Sequence, residues 1–422
     1  MKRNAVAVAV GALFIAPAAQ AQIMFGNDTI GTVQFYGKLY PQFGWARSSG
    51  ATQPGESVST LVSSPSGVLP GAAVSDTPSR QAVDSQNSYL GFRGERSFGT
   101  IGLKAIWQIE QSVNLDTGTG TFSNRNSFVG LRSNFGTVKL GNMDTIYKDY
   151  GDTFQMFGVS SGNFVSASNV LSHIGIGNNS AARFHERRAN SIQLESAQYG
   201  GFTGGFQYSP DEAKANGLNA SLYSYGVKWE GGPFYVSLHQ ERHNDFFGGS
   251  LNIPTSASGL RNATSTGGVI TPMGAAHSRD TGTRLSAEYR IGGHRFVGDI
   301  ARLEYKESGQ AAGTKFESYK HTNWAIGWDA RWSGPWRTAI QYVVGGEGTC
   351  TLTGGTACST SGLKGTMLNV GVAYSLDRQT FLYGIAGRLT NGKSSLYDNW
   401  ANADPARGAD ITQAALGISY IF

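Results

Sequence analysis

The sequence predicts an all-β protein: a transmembrane antiparallel β-barrel of sixteen strands with short periplasmic turns and long extracellular loops. Three observations point there. Apolar and polar residues alternate with period two in segment after segment, the connectors alternate between tight and long, and charges collect on the strand face opposite the apolar one.

The first element is a leader. Lys2 and Arg3 precede AVAVAVGALFIA, and Ala19-Gln20-Ala21 forms a small-x-small cleavage site, so residues 1–21 read as a secretory signal and residues 22–422 as one barrel domain. Beyond it no apolar run approaches the roughly 20 residues that a spanning helix needs. The 58 glycines among 422 residues are about twice the usual share of roughly 7%, which disfavours helices and suits a bending barrel wall.

Strand segments begin near residues 31, 86, 101, 125, 136, 187, 201, 219, 233, 281, 294, 321, 335, 364, 379 and 411. GTVQFYGKLYPQFGW sets Val33, Phe35, Leu39, Phe43 and Trp45 against Gln34, Lys38 and Gln42. IGLKAIWQIE sets Leu103, Ala105, Trp107 and Ile109 against Lys104, Gln108 and Glu110. Pro41 inside the first strand implies a bulge or a donor-free site. SFGT, SNFGT, EGGP, IGGH, SGPW and LDRQT are tight turns. The other connectors, 48–85, 144–186, 244–280, 346–362 and 392–410, are long. A soluble sandwich has no reason to sort its loops in this way.

The apolar face carries no charge where its parity is clearest, as in Tyr223, Tyr225, Val227 and Trp229, or Trp324, Ile326, Trp328, Ala330 and Trp332. A lipid-facing wall requires this, since Lys or Arg at the midplane costs about 2–4 kcal/mol. The opposite face carries the basic residues Lys38, Arg93, Lys104, Arg132, Lys139, Arg187, Lys228, Arg284, Arg290, Arg331, Arg337 and Arg388. Its acidic residues are fewer: Glu95, Glu110, Glu195, Glu241, Glu288 and Asp329. So many charges cannot be buried dry, which predicts an aqueous lumen with a net positive wall, the usual device of an anion pore. The strand HRFVGDIARLEY has charges on both parities, and its faces stay unassigned.

The connector at 144–186 is too long for an ordinary link. It opens with Asp144, Asp149 and Asp152 and runs into Arg183, Arg187 and Arg188. Folded inward, its carboxylates would face the basic wall across a narrowed lumen; folded outward, it would be surface. Cys350 and Cys358, in CTLTGGTAC, are a disulfide candidate in an exported chain. No metal-ligating cluster and no cofactor is indicated. The glycine-rich DTGTGT, residues 116–121, lacks the context of a phosphate loop, so neither nucleotide nor nucleic-acid binding is expected. The chain ends on Leu416, Ile418, Tyr420 and Phe422, a fully apolar outward row.

SYLGFRGERSFGTIGLKAIWQIE, SFVGLRSNFGTVKLGNM, NSIQLESAQYGGFTGGFQYSP and the terminal SYIF resemble the successive hairpins of the trimeric general porins of Gram-negative outer membranes, betaproteobacterial and neisserial in type. The resemblance spans essentially the whole mature chain. It implies a third loop folded into the lumen as a constriction, with Arg187 as a constriction arginine. It also implies a homotrimer in the outer membrane among lipid and lipopolysaccharide, and Phe422 as a signal read by the barrel-assembly machinery. Tyr89 and Asn126 stand where some anion-selective relatives have arginine, and loop 48–85 is longer than the family suggests.

The function expected is passive diffusion of small hydrophilic solutes and ions, weakly anion-selective. A substrate-specific channel for phosphate or an organic anion is the alternative, although inward aromatics do not extend beyond Tyr36, Tyr40, Tyr89 and Tyr235. A hydrolase barrel would need a nucleophile beside a base. His173, His185 and His277 fall in predicted loops and His239 lacks an evident serine partner, so no enzyme is expected; an adhesive role for the loops stays open.

Overall fold

The computed structural model describes residues 23–27, 31–99, 102–120, 122–158, 163–177, 183–210, 218–246, 248–260, 274–399 and 405–422. The predicted leader, 1–21, lies outside them. Sixteen strands close into one antiparallel barrel. In order they are Gly31–Leu39 with Pro41–Ser49, Arg80–Ser85 with Tyr89–Phe98, Leu103–Ser112, Ser127–Ser133, Gly136–Asp144, Arg187–Ser196, Phe202–Pro210, Ser221–Gly231, Phe234–Asn244, Gly274–Ile291, His294–Gln310, Phe316–Arg331, Trp336–Gly345 with Thr349–Leu352, Gly365–Ser375, Thr380–Asn391 and Asp410–Ile421. The sixteenth closes the ring on both halves of the first, from Ile421 opposite Lys38 to Asp410 opposite Ser49. A short strand, Ile23–Asn27, pairs with Gly31–Phe35 and covers the edge that the chain's end leaves open.

Pro41 interrupts the first strand without inverting it. The Tyr40 amide donates to Ser88 Oγ at 2.7 Å, in the matching gap of the second strand, and the inward order Lys38, Tyr40, Gln42 is kept. Where the reading and the structure differ is strand length. The tenth, eleventh and twelfth strands have 18, 17 and 16 residues, so strands predicted from 281 and 321 begin at Gly274 and Phe316. Their upper ends carry polar residues on both faces, outward Arg302, Glu304, Lys306 and Lys320 among them, so period-two alternation fades where the wall rises above hydrocarbon. This also resolves the eleventh strand. Phe296 and Ile300 face out, whereas Arg295 and Asp299 face in.

The burial is that of a membrane barrel turned inside out relative to a soluble one. Ile326, Ile340, Leu368, Val370, Leu416, Ile418 and Tyr420 are exposed on the outer wall, while Gln207, Ser224, Glu241, Asn323 and Gln413 are buried inside. An Ile326→Arg variant should lose about 2–4 kcal/mol, read as a shift in the urea midpoint of the vesicle-inserted barrel; an unchanged midpoint would remove residue 326 from the lipid face.

The interior is not uniformly wet. Loop residues Leu61, Val62, Val170, Leu171, Ile174, Ile253 and Tyr397 pack with inward Leu303, Tyr305, Phe316, Tyr319, Val343, Met367, Leu389 and Ile411 into an apolar cluster under the extracellular mouth. A second cluster joins Phe154, Met156, Phe157 and Phe164 to Val297, Ala339, Ala373, Tyr383 and Ile385. These inward apolar residues overturn one assignment. Arg388 lies on the outer face beside Asp410, 2.9 Å away, because the inner positions of its strand are Tyr383, Ile385, Gly387 and Leu389. In that strand the apolar parity belongs to the lumen side.

Candidate functional site

The third long loop starts where the fifth strand ends, and its first turn is fixed by charge. Asp144 lies 3.0 Å from Lys148 and 2.9 Å from Arg187. Asn126 bridges the same pair, donating to Asp144 at 3.1 Å and accepting from Arg187 Nε at 2.9 Å. Asp144 and Arg187 are thus the anchor of the loop, with Asp144 shared between Arg187 and Lys148.

Beyond the anchor, the helical turn Ile146–Gly151 buries Ile146, Tyr147 and Tyr150 against the wall. The Tyr147 amide donates to Ser224 Oγ at 2.8 Å. Tyr235 and Ser237 both donate to the Tyr150 carbonyl, at 2.6 and 2.9 Å, and the Tyr150 hydroxyl donates to Glu195 at 3.3 Å. The loop then follows the inner wall with its aromatics laid over glycines. A Cβ at Gly327 would stand 2.7 Å from the Phe154 ring, and one at Gly371 would stand 2.6 Å from Phe157. Lys38 donates to the Gly158 carbonyl at 2.5 Å, Asn163 to Gln42 at 3.2 Å, and Asn323 to the carbonyls of Val170 and Leu171 at 3.0 and 3.2 Å. The loop therefore lies inside the barrel, and at its level the water path runs between it and the first three strands with Arg125 and Asn126.

That path is a cavity of about 860 Å3. On its wall side stand Lys38, Arg93 and Arg125; on its loop side stand Asp149, Asp152 and Gln155. Arg93 donates to Gln34 at 2.7 Å and lies 4.7 Å above the Tyr36 ring. Arg125, 2.5 Å from Glu110, lies 4.8 Å above the Tyr89 ring, and Tyr36 donates to the other Glu110 oxygen at 3.0 Å. Among the described residues neither Lys38 nor Arg93 has a carboxylate at ion-pair distance, so these two leave the wall of the eyelet positive. Asp149 projects into the lumen from its helical turn. Enclosure within the barrel, then the nearby Asp144, holds its carboxyl above the ordinary range.

The remaining predicted residues are spread over the inner wall. Lys104 lies 2.5 Å and Arg132 3.7 Å from Glu95. Lys139 donates to Gln193 at 2.8 Å. Arg284 is buried behind the loop, bound to Asp299 at 2.8 and 3.0 Å. Arg290 and Arg337 line the cavity on its turn side, with Lys228 and Arg331. Asp152 accepts from Gln155 at 3.0 Å. Cys350 and Cys358 are joined, with Cα atoms 5.6 Å apart, beside the upper apolar cluster. Phe422 closes the seam: its amide donates to Gly37 O at 3.1 Å and its carbonyl accepts from Gly37 N at 2.9 Å.

Sequence reasoning missed Arg125 and Arg295. The reading began the fourth strand near 125 with Asn126 inward, whereas the strand begins at Ser127 and Arg125 lies ahead of it, outside the alternation. Arg295 could have been placed by reading Phe296 and Ile300 as the lipid-facing pair. Among the described residues no cluster of His, Cys, Asp and Glu could hold a metal ion.

A family model described as Gram-negative porin matches residues 5–394. The chain is 30% identical over 177 residues to the major outer membrane protein P.IB of Neisseria lactamica, covering 41% of this chain and 48% of that protein. It is 32% identical over 164 residues to the protein of the same name from Neisseria gonorrhoeae, covering 39% and 43%. The matched region thus spans a little under half the length of each relative. In fold, the chain is similar to an anion-selective porin from Comamonas acidovorans, with TM-score 0.63 and 19% identity over 92% of this chain and 99% of that one. It is also similar to OmpT of Vibrio cholerae, with TM-score 0.60 and 15% identity over 94% and 100%.

Proposed function

The chain belongs to the Gram-negative porin family, an outer-membrane β-barrel, and from that premise we propose that it is a passive diffusion channel for small hydrophilic solutes, weakly selective for anions. The observation that carries the preference is the pair Lys38 and Arg93, which line the eyelet with no carboxylate at ion-pair distance among the described residues. Fixed positive charge against a low-dielectric wall concentrates anions and repels cations. Asp149 and Asp152 on the opposite side temper this and set a field across the opening. The same reading takes the protein as a homotrimer, inserted by the barrel-assembly machinery through Phe422 and surrounded by lipid and lipopolysaccharide.

The test is the reversal potential of single channels in a planar bilayer under a potassium chloride gradient. Its sign should show chloride preference. Because the Asp149 carboxyl is raised, it takes up a proton as pH falls from about 8 to 5. The loop then loses negative charge and the chloride preference grows. A cation-selective reversal potential across this pH span would reject the reading.

A further inference from the structure

The lipid-facing wall also carries a hollow. Register sets Val138, Leu194, Phe206, Tyr225, Gln240 and Thr283 side by side, one from each of the fifth to tenth strands, all on the outer face. This row lines a groove of about 950 Å3. Its floor is small at Ser196 and Gly204, where a Cβ on Gly204 would meet nothing nearer than Ser196 Oγ at 3.9 Å. Strands of such barrels tilt by about 35–45°, so a row square to them climbs the wall. Val138 lies two residues into its strand from a tight turn, and the next step beyond Thr283 is Arg302. The groove is apolar on the turn side and polar at its upper end, where the Tyr225 hydroxyl donates to Gln240 and Gln240 donates to Thr283 at 2.7 Å.

The wall changes character just past that end. Leu285, Ile300 and Trp324, aligned by register, are the last large apolar outward residues of the tenth, eleventh and twelfth strands. Above them the outward positions carry Arg279, Arg302, Lys306 and Lys320, and Arg242 adjoins them on the ninth strand. Three carboxylates accompany these five cations. Glu304 lies 3.0 Å from Lys306, Glu317 is exposed at the rim, and Asp245 is hydrogen-bonded to His277 and to the Ser278 amide, each at 2.9 Å. Among the described residues Arg279, Arg302 and Lys320 have no carboxylate at ion-pair distance, and Arg279 stands directly opposite Lys306. Like charges so placed destabilise a strand pair, and an anion supplied from outside the chain would relieve them.

We propose that the groove and this cationic rim together bind one phosphorylated lipid of the outer leaflet. An acyl chain lies along the row from Tyr225 towards Val138, and a phosphate is held by Arg302, Lys320 and Arg279. The inference rests on the barrel's place in the outer membrane and not on the selectivity of the lumen. A dissolved phosphate would use the rim alone, whereas a lipid uses both halves. Gln240 and Thr283 then lie where its ester linkages cross from hydrocarbon to charge. Basic groups at a membrane surface attract anionic headgroups, and guanidinium forks match the oxygens of a phosphoryl group.

The experiment titrates lipid A, a doubly phosphorylated lipid, into the detergent-refolded barrel and counts retained molecules by native mass spectrometry. Wild type should retain one at concentrations where phosphatidylcholine is not retained. In Arg302→Gln/Lys320→Gln the half-saturating concentration should rise at least about tenfold, as expected for losing two charge-assisted contacts. Gly204→Leu fills the groove from its floor without touching the rim. It should raise that concentration at least about threefold, the cost of removing about one methylene from contact, and it serves if the rim variant does not fold. The heat-modifiable band on electrophoresis reports folding in both. Equal retention by wild type and both variants overturns the site. Displacement of lipid A by equimolar inorganic pyrophosphate, with no effect of Gly204→Leu, would make the rim a site for dissolved phosphate and overturn the lipid. A second barrel retained in place of the lipid, and lost in Gly204→Leu, would give the groove to a neighbouring copy and overturn it too.

Discussion

A chain lacking Phe422 should give almost no folded barrel. Its amide and carbonyl form the last two hydrogen bonds of the seam with Gly37, at 3.1 and 2.9 Å, and its ring packs 5.4 Å from Phe35 and 5.5 Å from Tyr420. Each backbone group left unpaired in a water-poor setting costs about 1–3 kcal/mol, and these lie at the closure on which every other strand pair depends. A Cβ on Gly37 would stand 2.7 Å from the Phe422 ring and 2.9 Å from a backbone carbonyl, so Gly37→Val should fail at the same step. Phe422→Tyr keeps the ladder and most of the ring contact, and should fold. The measurement is the heat-modifiable band on electrophoresis after refolding into detergent, where no cellular machinery acts. A normal band from the deletion would show that the seam does not need its last residue.

The second large effect is inversion of selectivity in Lys38→Gln/Arg93→Glu. The two changes take the eyelet wall from two unpaired positive charges to one negative, opposite Asp149 and Asp152. A unit charge acting across about 4 Å of water is worth about 1 kcal/mol, or roughly fivefold in local ion concentration. Three units of change should therefore carry the reversal potential through zero to the cation side, less so at high salt. Glu110→Gln is the control of opposite sign: it frees Arg125 from its partner at 2.5 Å and should deepen chloride preference. Unchanged sign in the double variant would place the selectivity elsewhere in the lumen.

Much of the architecture was legible because a lipid-facing wall obeys a strict rule. Where strands lie within hydrocarbon, as at Trp324, Ile326 and Trp328, parity alone separated wall from lumen. The rule loses force where its cause does. Above the membrane, Arg302, Glu304 and Lys306 are outward and polar, so the long strands were read too short. On the fifteenth strand, Ile385 and Leu389 serve loops packed inside the barrel, so apolar residues marked the inner face and Arg388 was assigned to the wrong side. Arg187 illustrates a further limit: its inward place was readable, but its pairing with Asp144 depends on the path of a loop that parity does not describe.

The aromatic residues of the third loop rest on glycines of the wall, Phe154 on Gly327 and Phe157 on Gly371, with no room for a single methyl group between. The aperture is therefore calibrated from behind. Side-chain volume at these two positions acts as a shim: any addition there displaces the loop toward the opposite strands, and the bore narrows although no residue that meets a passing ion has changed. Throughput and charge preference are in this sense separate adjustments, the first made by volume in the wall behind the loop and the second by the groups that face the water.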